Sequence, residues 1–259
     1  MGGLGSVPEY ERIILKSPQE IEKMRCSNRI VAEVLQEMKL MAKPGVTTRE
    51  LDELAEALLA KRKARSAFKG YNGYPATLCT SVNEEVIHGI PSERILREGD
   101  ILSLDFGVIY DDYYGDSAIT VPIGRITAEA ERLLRVTEEA LYLGIDRAWP
   151  GNRLQDISAA IQRHVESHGF SVVRDFVGHG IGKHLHEKPP VPNFGDPGRG
   201  VRLEPGMTLA IEPMITMGSY EVMILEDGWT AVTKDKSLSA HFEHSVALTE
   251  DGPYILSKI

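Results

Sequence analysis

Cysteine is scarce in this 259-residue chain: only Cys26 and Cys79 are present, at a spacing that suggests neither a disulfide framework nor a zinc motif. A reducing cytoplasm is the default compartment for such usage. No apolar run approaches the ~20 residues that a membrane span needs. Met1–Tyr10 has no apolar core of the kind that marks a signal peptide. Positive charge is also in deficit. Lysine and arginine total 29 against 38 acidic residues, a formal net charge of -9, and no long basic run appears. Nucleic acid is therefore not expected as the main partner. Met1, Gly2 and Ser6 match the short myristoylation pattern. That pattern is loose, and residues 1–10 read more simply as a flexible glycine-rich leader. The rest has an ordinary globular composition and is long enough to bury roughly three quarters of its unfolded surface, as one large domain or two small ones.

The stretch Gly99–Thr120 reads G-D-I-L-S-L-D-F-G-V-I-Y-D-D-Y-Y-G-D-S-A-I-T. Two β-rich runs flank an acidic turn at Asp111 and Asp112, which predicts a hairpin. Asp105 lies inside the first run, among Leu102, Leu104 and Phe106, and Asp116 at the start of the second. A carboxylate in an apolar strand is costly unless it is paired or binds a metal. Two on neighbouring strands repel unless a cation lies between them.

Around this hairpin the chain alternates helices and strands. Ser17-Pro18-Gln19-Glu20 is a capping box with proline at the first helical position. Ile21, Met24, Val31, Val34, Leu35, Met38 and Met41 follow at helical spacing until Pro44-Gly45. A second helix starts near Thr47, with Leu51, Leu54, Ala55, Leu58 and Leu59 inside and a basic run, Lys61–Arg65, at its end. Ala67–Ile90 is a loop-and-strand region holding Tyr71, Tyr74, Cys79 and His88. A third helix begins at Thr127, with Leu133, Leu134, Ala140 and Leu141 inside, and a fourth runs from about Asn152 to Ser167, stopped by Gly169. The remainder is β-rich: G-H-G-I-G at Gly178–Gly182, a strand Met207–Ile215, a hairpin turned at Asp227-Gly228, and a last strand near His241–Thr249.

The two halves echo each other. Pro44-Gly45 and Pro150-Gly151 each precede a helix, at an offset of 106 residues. L-R-E-G-D-I-L-S-L-D ends at Asp105 and L-E-P-G-M-T-L-A-I-E at Glu212, at an offset of 107 residues. Each half also holds a His-Gly-Ile, at His88 and His179. The expected fold is α+β, with pseudo-two-fold duplicated helix-helix-hairpin halves and helices backing one curved antiparallel sheet. Asp105 and Glu212 would then meet at its centre.

Five residues compete for one site: Asp105, Asp116, His179, Glu212 and Glu243. Glu212 follows Leu209-Ala210-Ile211, and Glu243 lies in A-H-F-E-H-S-V-A-L. His179 sits between glycines, which let backbone approach closely. Four carboxylates and one imidazole form a hard donor set suited to Mn, Fe, Co or Zn in a two-metal centre. The set does not suit a structural zinc site, which favours thiolates.

The motifs T-S-V-N-E-E-V-I-H-G-I-P (80–91), S-L-D-F-G with Asp116 eleven residues after Asp105, G-H-G-I-G-K-H-L-H (178–186), I-E-P (211–213) and H-F-E-H (241–244) resemble those of the type I methionine aminopeptidases, over about residues 10–255. The resemblance implies the pita-bread fold, as a single catalytic domain over 11–259. It implies two divalent ions (Co, Mn, Fe, Zn or Ni) held by the five residues above. A hydroxide between the ions would attack the first peptide carbonyl, and Glu212 would also take the water's proton. His88 and His186 would contact the scissile peptide. Phe68, Tyr71, Tyr74, Cys79, Leu185 and Trp229 would line the methionine pocket, tightened by Phe68 where some relatives carry a smaller residue. Asn83 and Ser239 would help bind a monovalent cation. The implied substrates are nascent polypeptide N-termini with a small second residue, met at the ribosome by a monomer in the cytoplasm.

Rival readings remain at this point. A proline-directed peptidase usually carries a large extra N-terminal domain. A type II aminopeptidase needs a helical insertion between the His and Glu ligands, where only 33 residues separate His179 from Glu212. A non-catalytic binding protein on the same scaffold would have lost ligands. A two-metal phosphoesterase would place basic residues beside them, and Lys183 is the nearest candidate.

Overall fold

A computed structural model describes residues 12–259. The expected leader and the myristoylation pattern lie outside the described residues. Helix α1 (Pro18–Met41) starts at the expected box: the Ser17 hydroxyl accepts the Glu20 N–H at 3.3 Å and Glu20 Oε2 accepts the Ser17 N–H at 2.9 Å. Helix α2 (Thr48–Arg62) starts the same way, with Thr47 and Glu50 exchanging bonds of 3.2 and 2.7 Å. Helix α3 (Ala128–Ile145) is capped by Thr127. Helix α4 (Leu154–Ser167) gives way to Gly169, whose φ of 77° no ordinary side chain favours. Met41, expected on the buried face of α1, is exposed. It is the last helical residue, where the chain has already left the sheet. Among the described residues no helix is long and apolar enough to cross a membrane.

The strands are β1 (Arg65–Ser66), β2 (Cys79–Val82), β3 (Glu85–Ile87), β4 (Ile101–Tyr110), β5 (Tyr113–Pro122), β6 (Ser171–Val172), β7 (Gly178–Gly180) and β8 (Glu187–Val191). They continue as β9 (Thr208–Ile211), β10 (Met214–Thr216), β11 (Val222–Ile224), β12 (Ala231–Thr233), β13 (Ser239–His241), β14 (Glu243–Thr249) and β15 (Gly252–Ile255). Nine form one curled antiparallel sheet in the order β1-β4-β5-β14-β9-β7-β8, with β2 on β4 and β15 on β14. Two three-stranded sheets, β13-β10-β6 and β11-β12-β3, complete the β structure.

The duplication is visible in this order. β5 and β14 are central, β4 and β9 flank them, and β2 and β7 come next. Helices α1 and α2 bury Val31, Val34, Leu35, Leu51 and Leu58 against Leu102, Leu104 and Phe106 of β4. Helices α3 and α4 bury Leu133, Val136, Leu141, Ile157 and Ile161 against Leu209, Ile211 and Val246 of the other half. Because side chains alternate along a strand, these apolar residues leave the opposite face of the sheet to Asp105 and its neighbours. The seam between the halves is short. Among the described residues only Glu243↔Ala118 and His244↔Ser117 pair across it. Hydroxyls extend it: Ser117 donates to the Glu243 carbonyl, Thr120 to the His241 carbonyl at 2.8 Å, and Ser245 to the Asp116 carbonyl at 2.8 Å.

Two expected strands are each broken in two. Met207–Ile215 becomes β9 and β10, parted at Glu212-Pro213, and His241–Thr249 becomes β13 and β14, parted at Phe242. Pro213 has no N–H to continue a ladder. Both chains leave the large sheet at the same level, since Ile211 pairs with His244 but Met214 pairs with His241. The two His-Gly-Ile segments also occupy different places. His179 lies within β7 of the large sheet, whereas His88 follows β3 in a small one.

Candidate metal centre

The hairpin β4–β5 turns through Asp111 and Asp112, with φ of 49° and 64°, the primed geometry that matches strand twist. Ten residue pairs follow, from Tyr110↔Tyr113 to Ile101↔Pro122. This register sets Asp105 opposite Ala118 and Asp116 opposite Gly107, so both carboxylates leave the same face. Across the seam Ala118 pairs with Glu243. One step beyond the His244↔Ile211 pair, Glu212 comes opposite Glu243. Asp105, Ala118, Glu243 and Glu212 thus form a row across four strands, and the small Ala118 leaves room in its middle. His179 joins from β7, opposite Ala210, which shares a face with Glu212. The flanking glycines are required there. A Cβ on Gly178 would lie 2.3 Å from the Ala210 carbonyl oxygen, and one on Gly180 2.2 Å from that of Lys188.

All five residues line one cavity of about 220 Å³. Donor atoms of Asp116, His179 and Glu243 lie within 4.8 Å of one another. Glu212 Oε1 is 3.5 Å from His179 Nε2. Among the described residues no lysine or arginine pairs with any of the four carboxylates. Asp105 Oδ1, Asp116 Oδ1 and Glu243 Oε1 are buried without a hydrogen-bond partner. Orphans of this kind in a native site call for a partner, such as an ion or a water.

Burial pushes all four carboxyls up, Asp105 to about 7 and Glu212 to about 8. Asp116 is raised further by Asp105 and Glu212, and Glu243 by Asp116, Glu212 and Asp105. His179 is pushed down to about 3, by burial first and then by His186, so it is a neutral imidazole with an available lone pair. Four acids that resist ionising together, beside a neutral imidazole, are what a divalent cation would convert into ligands. The residues present fit such an ion.

The other expected site residues surround this cluster. Phe68, Tyr71, Tyr74, Cys79, His88, Leu185, His186 and Trp229 all line the same cavity. The Tyr71 hydroxyl is 2.7 Å from His186 Nδ1, and the His186 and His179 rings are 4.4 Å apart. The Tyr74 hydroxyl shares its one proton between the Leu78 and Gly89 carbonyls, at 3.1 and 3.0 Å, and so helps fix the residue after His88. His88 itself has a φ of 61° and is pushed down to about 4 by burial, His241 and His186. Its ring stands edge-on to Phe176 and Trp229. Asn83 and Ser239 are neighbours, the Ser239 N–H donating to the Asn83 carbonyl at 2.9 Å, but they stand outside the cavity. A larger open groove of about 860 Å³ between α1 and α3, over β5, contains none of the four acids and not His179.

Sequence reading missed His241. It is almost fully buried, with Nε2 3.5 Å from Glu212 Oε2, and neither ring nitrogen has a hydrogen-bond partner. Its signal was the H-F-E-H motif, where it stands two residues before Glu243. Asn72, which also lines the cavity, was missed for want of any pattern.

Comparison with known proteins places this geometry. Residues 22–250 match metallopeptidase family M24. The methionine aminopeptidase of Clostridium acetobutylicum is 55% identical over 246 residues, covering 95% of this chain and 98% of that protein. Methionine aminopeptidase 1 of Bacillus subtilis is 52% identical over 247 residues, covering 95% and 100%. The crystal structure of the Thermotoga maritima methionine aminopeptidase superposes with a TM-score of 0.94 at 48% identity, covering 96% of this chain and 100% of that one. Fold, acid cluster and these relatives agree: the chain belongs to metallopeptidase family M24 and, within it, to the methionine aminopeptidases.

Proposed function

We propose that the chain removes the N-terminal methionine from polypeptides whose second residue is small, using two divalent ions held by Asp105, Asp116, His179, Glu212 and Glu243. The observation that carries this reading is the row of acids across β4, β5, β14 and β9, joined by His179, with no cationic side chain among the described residues to balance it. Bound there, divalent ions supply Lewis-acid chemistry, stabilising charge on a carbonyl oxygen and making water more acidic.

The chain's own residues do the rest. Burial raises the Glu212 carboxyl to about 8, so on its own it keeps its proton at neutral pH; cations bound beside it would hold it ionised, and as a carboxylate it could take a proton from water. The Tyr71 hydroxyl is hydrogen-bonded to His186 Nδ1; in the tautomer where Nδ1 accepts, neutral His186 carries its proton on Nε2 and can hydrogen-bond the peptide carbonyl. His88, neutral through burial, faces the same space from the other wall and can hydrogen-bond the leaving amide. Phe68, Tyr74, Cys79, Leu185 and Trp229 give an apolar, largely aromatic wall, which suits a flexible thioether. The small cavity leaves little room for a bulky second residue. On this reading the substrates are nascent chains in the cytoplasm, and the single domain works as a monomer.

The test is a peptide panel. Protein loaded with Mn²⁺ should release methionine from Met-Ala-Ser peptides, spare Met followed by a bulky residue, and lose activity on exhaustive chelation. Preferential cleavage of Xaa-Pro peptides, or full activity after chelation, would overturn the assignment.

A further inference from the structure

Lys16 and Glu187 form an ion pair that the chemistry above does not use. Their side chains are 4% and 0% exposed, and 171 residues separate them. Lys16 Nζ donates to Glu187 Oε2 and, at 3.1 Å, to the Ile14 carbonyl. The other carboxylate oxygen, Glu187 Oε1, accepts the His184 N–H at 3.1 Å. Gly182 N–H donates to the His184 carbonyl at 3.1 Å. Gly182–Glu187 is therefore a tight turn closed by the Glu187 carboxylate, and Leu185 and His186, which face the cavity, are inside it. The pair presses directly on this turn: a Cβ on Gly182 would lie 2.4 Å from Lys16 Cε and 2.7 Å from Glu187 Oε1.

The segment that brings Lys16 is itself fixed at three points. Ile13 bridges to Lys188, the Lys16 N–H donates to the Gly206 carbonyl at 2.7 Å, and Ser17 caps α1. A buried ion pair is poor material for stability, because desolvating both charges offsets their attraction, and an apolar pair of similar volume often serves as well. What charges and hydrogen bonds do provide is a fixed geometry.

We propose that Lys16 and Glu187 are positioning residues. The pair clamps the Gly182–Glu187 turn to the chain entering α1, and thereby holds Leu185 and His186 against the substrate. This rests on the reading of His186 as a substrate contact. A displacement of about 1 Å at a positioned group can lower a rate about a hundredfold.

Three variants test it: Glu187→Asp, which keeps the charge but shortens the reach by one carbon, the apolar pair Lys16→Met/Glu187→Leu, and His186→Ala as reference. For each, kcat and KM are measured on a Met-Ala-Ser peptide and the Mn²⁺ stoichiometry and affinity by calorimetry. Both Glu187 variants should keep full Mn²⁺ stoichiometry, lower kcat per Mn²⁺-binding molecule about tenfold or more, and raise KM. Unchanged kcat and KM would overturn the proposal. So would a fall in kcat matched by an equal fall in Mn²⁺ stoichiometry with KM unchanged, the signature of a pair that only keeps molecules folded. If His186→Ala is fully active, the reading of His186 falls and this inference with it. If His186→Ala is impaired and the Glu187 variants are not, the inference alone falls.

Discussion

Replacing Asp116 by asparagine should make the metal-free protein more stable while weakening its hold on metal. Asp116 is buried, and its carboxyl is raised well above the ordinary 3.8 by burial, Asp105 and Glu212. In the metal-free fold it is protonated at a pH where the unfolded chain is ionised. A raised carboxyl contributes its full stability below the unfolded value and loses it as pH rises toward the folded one. Holding that proton opposes folding increasingly as pH rises above the unfolded value, by about 1.4 kcal/mol per pH unit for as long as the folded group stays protonated. Proton sharing among the four acids and local relaxation make this dependence shallower. The asparagine of Asp116→Asn needs no such proton and brings donors to a pocket rich in acceptors. A gain of about 1–3 kcal/mol, the usual scale for relieving a buried unpaired polar group, is expected at about pH 7.5, or about 2–10 °C in Tm for a chain of this size. Near pH 5, closer to the unfolded value, the gain should be smaller. Scanning calorimetry of both proteins in chelator at the two pH values reads this directly. Added Mn²⁺ should raise the wild-type Tm and leave the variant nearly unmoved. A variant less stable than wild type at both pH values, or one with the same gain at each, would refute the claim that these acids are mutually frustrated without an ion.

Replacing His88 by alanine should lower kcat about a hundredfold and leave the Mn²⁺ content of the purified protein intact, as read by elemental analysis. Loss of metal would instead make His88 a ligand. Phe68→Ala should enlarge the pocket and raise the rate on ethionyl relative to methionyl peptides, at a stability cost of about 3 kcal/mol visible in urea unfolding. An unchanged preference would remove Phe68 from the pocket wall. Thr47→Ala should cost about 1 kcal/mol in the same urea assay with kcat unchanged, since this cap is remote from the cavity.

The parts of the molecule legible in the sequence are those governed by local chemistry. Ser17 with Glu20 and Thr47 with Glu50 are capping boxes in sequence and in structure because both partners lie within one helical turn. Asp111-Asp112 reads as a turn because aspartate tolerates positive φ. The acids were legible through their cost: Asp105 among Leu102, Leu104 and Phe106 is unreasonable unless something binds it. What was hidden depends on distant parts of the chain. Strand breaks at Glu212-Pro213 and Phe242 are decided by two strands leaving one sheet together, and only the proline announces its half. His241 was passed over because its meaning comes from Glu212, reached only through folding. Lys16 and Glu187 look like surface charges until the chain between them has closed.

The seam between the two halves, with two paired residues and a set of serine and threonine hydroxyls, has a consequence for how this centre can change. Backbone ladders impose a fixed interstrand spacing, whereas hydroxyl bridges can be lengthened, shortened or removed one at a time. The gap between Asp105–Asp116 on one side and Glu212–Glu243 on the other is therefore an adjustable aperture. Ser117, Thr120 and Ser245 set that gap from outside, since none of the three lines the cavity.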